Sequence, residues 1–99
     1  MADEAAGTGA LHGSVVLPNR AGLHARPAVK LTQLAKTFSS RIDFALDPDG
    51  PWIDAKSPVK VMRAKASQGS TLYFRTLGPD AGPALKALLD LAGSGFGEE

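Results

Sequence analysis

Apolar and polar positions alternate along this chain in short stretches, each with its own period. His12–Leu17 holds β-branched and apolar residues and closes on Pro18-Asn19, which predicts a first strand. Arg20–Arg26 reads as a loop, and Pro27 then stands where a first-turn proline belongs. Through Phe38, the apolar residues Ala28, Leu31, Ala35 and Phe38 recur every three or four positions, and Val29 and Leu34 widen the stripe. That spacing predicts an amphipathic helix, ended by Ser39-Ser40. Ile42, Phe44 and Leu46 then alternate with Asp43 and Ala45, the signature of a strand with one buried face. Asp47-Pro48-Asp49-Gly50-Pro51 is a dense turn signal, from which Trp52–Ala55 returns as a short partner strand.

Ser57-Pro58 marks a second helix: a serine cap followed by proline at the first helical position. Val59, Val61 and Met62 lie in it, and it fails before Gly69. Thr71–Thr76 is a further strand, with Leu72, Phe74 and Thr76 on one face and Thr71, Tyr73 and Arg75 on the other. Gly78-Pro79-Asp80 combines a turn with a helix cap, Asp80 being the capping acid. Ala84, Leu85, Leu88, Leu89 and Ala92 form the last helix, stopped by Gly93. The order is βαββαβα. One-sided helices and strands with a polar alternate specify an α+β sandwich, one sheet covered on one face.

Ninety-nine residues leave room for one core. The expected organisation is a flexible tail over 1–10, a domain over 11–93 and a second flexible tail over 94–99, both ends being rich in Gly and small residues. There is no cysteine, which excludes disulfide frameworks and cysteine-based zinc sites, and two histidines 12 positions apart make no metal site. No apolar run approaches the 18 or so residues of a membrane span, and Met1–Ala10 is acidic and small rather than signal-like. The expected address is the cytoplasm, with no insertion into a membrane.

Charge changes the picture. The chain carries eleven bases and ten acids, but Asp3, Glu4, Glu98 and Glu99 lie in the ends, leaving six acids against eleven bases. Residues 11–42 hold Arg20, Arg26, Lys30, Lys36 and Arg41 with no acid, and residues 55–79 hold Lys56, Lys60, Arg63, Lys65 and Arg75, again with none. Asp43, Asp47, Asp49 and Asp54 fall between the two basic stretches. The segregation points to a face that meets an anion or an acidic partner, or to an ordinary solvated face.

The candidate chemistry lies in Gly22-Leu23-His24-Ala25-Arg26-Pro27-Ala28. A histidine three residues before a helix-starting proline sits beside unpaired helix N–H groups and the positive end of a helix dipole, a ready anion site. Arg26 supplies a planar donor fork suited to phosphate. Pro27 fixes the helix entry, and Gly22 allows a tight approach before it. An imidazole with one unprotonated ring nitrogen is a competent nucleophile near neutral pH. These residues describe a histidine able to take a phosphoryl group, whose new charge is met by amides and Arg26. The structural alternative is a surface-loop histidine near a helix start.

Asn19-Arg20-Ala21-Gly22-Leu23-His24-Ala25-Arg26-Pro27-Ala28 closely resembles the phosphorylation-site signature of HPr, the histidine-containing phosphocarrier family of the bacterial phosphoenolpyruvate-dependent phosphotransferase system. The resemblance runs over roughly residues 12–92. It includes Ala55-Lys56-Ser57 opening the second helix and Gln68-Gly69 before the last strand, and Gly95-Phe96-Gly97-Glu98 is a familiar kind of ending. It implies an open-faced βαββαβα sandwich with a four-stranded, mostly antiparallel sheet and three helices on one face. His24 would accept a phosphoryl group on Nδ1 from phospho-enzyme I and pass it to a histidine of an enzyme IIA-type domain, with Arg26 pairing the phosphate. The protein would be a carrier rather than an enzyme, with no metal and no cofactor, and His24 would be largely exposed.

In some lineages the serine at the place of Ser57 is phosphorylated by a dedicated HPr kinase/phosphorylase; the alternative for Ser57 is a helix cap alone, since the residues demand nothing more. Pro58 departs from the larger aliphatic residue usual in the family, and Lys65 from a glycine or small residue. The resemblance also implies a docking surface on the first two helices. Pro58, Val59 and Met62 form its apolar centre, with Pro27 beside the histidine. Arg20, Arg26, Lys30, Lys56 and Lys60 form a basic rim, and the state is monomeric. Core packing is the alternative for Val59 and Met62. A second functional reading is a regulatory binding module whose phosphorylation at His24 or Ser57 controls association. A small nucleic-acid binder rests on charge alone, since Tyr73 and Arg75 have no aromatic partner at the needed spacing, and no nucleic acid is expected. His12 is read as incidental, and Trp52 as packed at a sheet edge.

Overall fold

The computed structural model describes residues 9–98. The expected N-terminal tail therefore lies almost wholly outside the described residues, as does Glu99. Strand β1 spans Leu11–Val16, helix α1 Arg26–Lys36, β2 Arg41–Ala45, β3 Ile53–Asp54, α2 Pro58–Ala64, β4 Thr71–Leu77 and α3 Ala81–Gly93, followed by a short 3₁₀ turn at Gly95–Gly97. The order is the βαββαβα read from the periodicity, with ends shifted by a residue or two. The sheet order is β1-β4-β2-β3, and every pairing is antiparallel.

The core lies between the sheet and the helices. Leu17, Leu31, Ile42, Phe44, Leu72, Phe74, Ala84 and Leu88 are buried there, contributed by the apolar faces that the two periods define. Each fully buried Leu, Ile or Phe contributes about 1.5–3 kcal/mol relative to an exposed one. The α2 cap forms as its residues dictate: Ser57 Oγ accepts from the Lys60 N–H at 3.3 Å, and Pro58 occupies the first turn.

Four expectations are corrected. Asp80 precedes α3 but makes no side-chain cap to it. Its carboxylate accepts instead from the backbone N–H groups of Ser39 and Ser40, at 3.0 and 2.8 Å, and from the Ser40 hydroxyl. With the Ser39 hydroxyl, four N–H and O–H donors of one loop outcompete a single helix terminus, because the α1–β2 connection lies against it. β2 is not half-buried: Asp43 and Ala45 are covered as well as Ile42 and Phe44, and Leu46 is exposed. The cover comes from above the sheet, where the Arg75 guanidinium stacks 4.2 Å from the centre of the Trp52 ring, and the Trp52 ring meets His12 edge-on at 6.1 Å. Asp43, 4% exposed, accepts from Arg41 Nε at 3.0 Å and Arg75 Nη2 at 3.2 Å. Arg75 thus has the aromatic partner that spacing alone did not reveal, and Trp52 lies over the sheet face.

Val29, assigned to the buried stripe of α1, is exposed. Finally, the residues expected as a flexible tail from 94 onward are packed as far as Glu98. Phe96 is buried in the core, and Lys30 Nζ donates to its carbonyl at 2.7 Å. Burying a phenylalanine ring outweighs the freedom of its flanking glycines.

Candidate functional site

The loop that carries His24 is pinned from both sides. Leu17 N–H donates to Ser70 O and Gly69 N–H to Leu17 O, each at 2.9 Å, and Gln68 Nε2 donates to Pro18 O at 2.9 Å. Further on, Leu23 N–H donates to Ala66 O at 2.8 Å, and the Leu23 side chain is fully buried. Gly22 sits between, with φ +63°. A Cβ there would lie 2.3 Å from Ala66 O, so both the backbone angle and the approach require glycine. Asn19 Nδ2 closes the turn by donating to Gly22 O at 2.9 Å. Its Oδ1 is the one buried side-chain polar atom without a partner among the described residues.

With Leu23 driven inward, His24 is turned outward. It is exposed, and its imidazole makes no hydrogen bond or ion pair among the described residues. Ala25 follows at φ 52°, ψ −120°, a region that favours glycine. Holding alanine there costs on the order of 1–3 kcal/mol, borne by the packing on either side. α1 then starts with no side-chain cap and no acid in its first turn. Pro27 has no N–H, so the donors at this end belong to Arg26 and Ala28. A nucleophilic nitrogen, uncapped amides and a guanidinium are thereby brought to one exposed end of one helix.

The remaining site residues divide. Val59 (63% exposed) and Met62 (38%) stand on the surface of α2, not in the core. Pro58, Arg20 and Lys60 are exposed too. Pro27 is buried and acts through the entry geometry of α1 rather than as a contact surface, because its ring packs inward in the first turn. Lys56 and Lys30 are not loose rim charges. Lys56 Nζ donates to Phe38 O at 2.8 Å, tying the α2 entry to the end of α1, and Lys30 is held by Phe96 and Glu98. Arg26 is likewise engaged, its Nη2 lying 2.9 Å from Glu98 Oε1. Glu98 and Asn19 are the residues that sequence reasoning passed over. Asn19 opens the signature and Glu98 closes the familiar ending, but neither has a role assigned by sequence alone.

Residues 11–94 match the family model described as "PTS HPr component phosphorylation site". The chain belongs to the HPr family. It is 46% identical over 80 residues to the phosphocarrier protein HPr of Cupriavidus necator, covering 81% of this chain and 88% of that one. It is 35% identical over 85 residues to the phosphocarrier protein NPr of Proteus mirabilis, covering 86% and 93%. A solved structure of HPr-C-His from Thermoanaerobacter tengcongensis superposes with a TM-score of 0.82 at 39% identity, covering 90% of this chain and 98% of that one. As an HPr-family protein, the chain is a phosphocarrier of the phosphotransferase system rather than an enzyme, and its partners are components of that system. Among the described residues, no helix is long and apolar enough to cross a membrane.

Proposed function

We propose that His24 is the phosphoryl acceptor of this HPr-family chain, loaded by phospho-enzyme I and unloaded by a histidine of an enzyme IIA-type domain in the cytoplasm. The observation that carries this reading is the exposed, unpaired imidazole of His24 held by a rigid loop in front of the uncapped start of α1. In the loading step the lone pair of His24 Nδ1 attacks phosphorus. The P–N bond of phospho-enzyme I breaks, its electron pair stays on the departing imidazole nitrogen, and that ring takes up a proton while the His24 ring releases its own from Nε2. Unloading is the same exchange with His24 as the leaving group. No metal or organic cofactor takes part in either exchange. Amides and Arg26 meet the equatorial oxygens, where the charge of the transferring group is spread.

Val59 and Met62, with Pro58 beside them, form the apolar centre on which both partners dock, and Arg20 and Lys60 belong to its basic rim. The chain works as a monomer, since one face serves successive partners. Ser57 Oγ is engaged as the acceptor that caps α2, which supports a structural role there rather than regulation by an HPr kinase/phosphorylase.

Intact mass after incubation with phosphoenolpyruvate, magnesium and enzyme I tests the reading in wild type and His24→Ala. The expected result is an acid-labile gain of one phosphoryl group that the variant lacks. No gain, or an equal gain in the variant, overturns it.

A further inference from the structure

Lys60 and Arg63 are cations that nothing in the fold neutralises. They stand three positions apart on α2, so their side chains share one face of the helix. Neither head group makes an ion pair or a hydrogen bond among the described residues. α2 itself carries no acid, and Asp54, which ends β3, is engaged with the backbone. Its Oδ1 accepts from the Lys56 N–H at 2.9 Å and its carbonyl from the Ser57 N–H at 3.2 Å. With Trp52, Ile53, Asp54 and Ala64, the two cations border a surface cavity of about 400 Å³ between β3 and α2. That volume falls in the range of small-molecule sites, about 300–1,000 Å³.

The walls of this cavity are held in place by the fold. Gly50, at φ +93°, turns the chain back toward β3. A Cβ there would stand 3.1 Å from Trp52 N and 3.2 Å from Trp52 Cδ1, so glycine lets the indole lie against the turn. The Arg75 guanidinium stacks on that indole at 4.2 Å and is itself tied to the buried Asp43 at 3.2 Å. The ring is thus braced from the sheet, while Trp52 as a whole is half-buried. On the helical wall, the buried Val61 anchors α2 to the core and the Ser57 cap fixes its start. Ala64 contributes only a methyl group to the lining, which leaves the space beside Arg63 open.

We propose that this cavity binds a nucleoside phosphate, its base against the Trp52 indole and its phosphate met by Lys60 and Arg63. The chemistry of the walls selects that class. Two unneutralised cations call for an anion, and Arg63 offers a planar donor fork for phosphate oxygens. A bare phosphate on exposed cations is held weakly, because water and salt screen the pair. The indole adds the affinity that the charges lack, since every nucleobase has a face that stacks on an aromatic ring. Asp54 adds a carboxylate on the same wall, an acceptor for ribose hydroxyls. An acidic peptide would satisfy the cations but leave the indole without a planar partner. The inference does not depend on the role of His24.

Isothermal titration calorimetry of the full chain with ADP, in low salt without magnesium, tests it beside the two halves of that probe, adenosine and pyrophosphate. ADP is expected to bind, and each half to bind about tenfold more weakly or worse. Trp52→Ala is expected to weaken ADP about tenfold, the scale of one stacked base, and Arg63→Ala about fivefold, the scale of an exposed ion pair. Trp52→Phe keeps a ring on the sheet and is expected to stay within about threefold of wild type, which separates stacking from any disturbance of the fold. Absence of saturable ADP binding up to millimolar concentration overturns the proposal. Pyrophosphate binding as tightly as ADP overturns it by showing a patch for bare anions only. An ADP affinity that neither Trp52→Ala nor Arg63→Ala lowers places the nucleotide elsewhere on the chain and overturns it as well. Binding of hexaglutamate in preference to ADP overturns it in favour of an acidic partner.

Discussion

Two side chains near the site hold backbone angles that glycine would adopt without cost. One is Ala25, next to His24. The other is Lys65, which ends α2 at φ 55°, ψ 41° and donates its N–H to Met62 O at 3.3 Å. A left-handed residue with a Cβ costs about 1–2 kcal/mol, so Lys65 explains physically why a glycine suits this position. Lys65→Gly is expected to raise stability by about 1 kcal/mol, some 4–8 °C in Tm for a domain of this size, checked by thermal unfolding. The gain should leave phosphoryl acceptance unchanged, because the Lys65 side chain is exposed and makes no ion pair among the described residues. Gly22 is the opposite case: there the neighbouring Ala66 carbonyl leaves no room for any side chain.

Between elements, Asp80 fastens the start of α3 to the α1–β2 connection. The Ser40 hydroxyl is the largest influence on its carboxyl and the Ser39 amide the next, and together they lower it from 3.8 to about 2. The Ser40 oxygen in turn accepts from the Asp80 N–H at 3.0 Å. A carboxyl lowered by folding stabilises the fold fully above its ordinary value, and that stabilisation is lost as pH falls toward 2. The melting temperature of wild type is therefore expected to exceed that of Asp80→Asn at pH 6, with the gap closing as pH falls from about 4 to 2. A gap independent of pH would show that the carboxylate charge is not what fastens the two elements. The elements themselves were legible because each carries its own period, and the His24 signature was legible because its residues are consecutive. Asp80 was not, since its partners lie about forty positions earlier and a local rule already gave it a helix to cap. The covering of Asp43 and the return of Glu98 were hidden in the same way. Both depend on a ring brought in from elsewhere, Trp52 in one case and Phe96 in the other.

At the scale of the molecule, the excess of basic residues is partly spent internally. Lys56, Lys30, Arg41, Arg75 and Arg26 all have partners within the fold, whereas Arg20 and Lys60 are exposed. Docking should then draw on a desolvated apolar centre for affinity and on a few rim charges for approach. Val59→Asp is expected to raise the KM of enzyme I for this carrier about tenfold, a loss of about 1.4 kcal/mol, with kcat changed less than twofold. Steady-state kinetics with enzyme I checks it, and a fall in kcat at unchanged KM would place Val59 outside the docking surface. Added salt should raise KM in wild type and variant alike, because the rim charges are exposed and readily screened.

The Trp52 cover over β2 has an optical consequence. It is the chain's only tryptophan, and it is stacked against Arg75 of β4. Its emission follows the loss of the Arg75 stack when the sheet opens, which makes it a clean reporter of unfolding. Trp52 also borders a surface cavity of about 400 Å³ with Lys60 and Arg63 of α2, so a partner docking on that helix is expected to change the same emission.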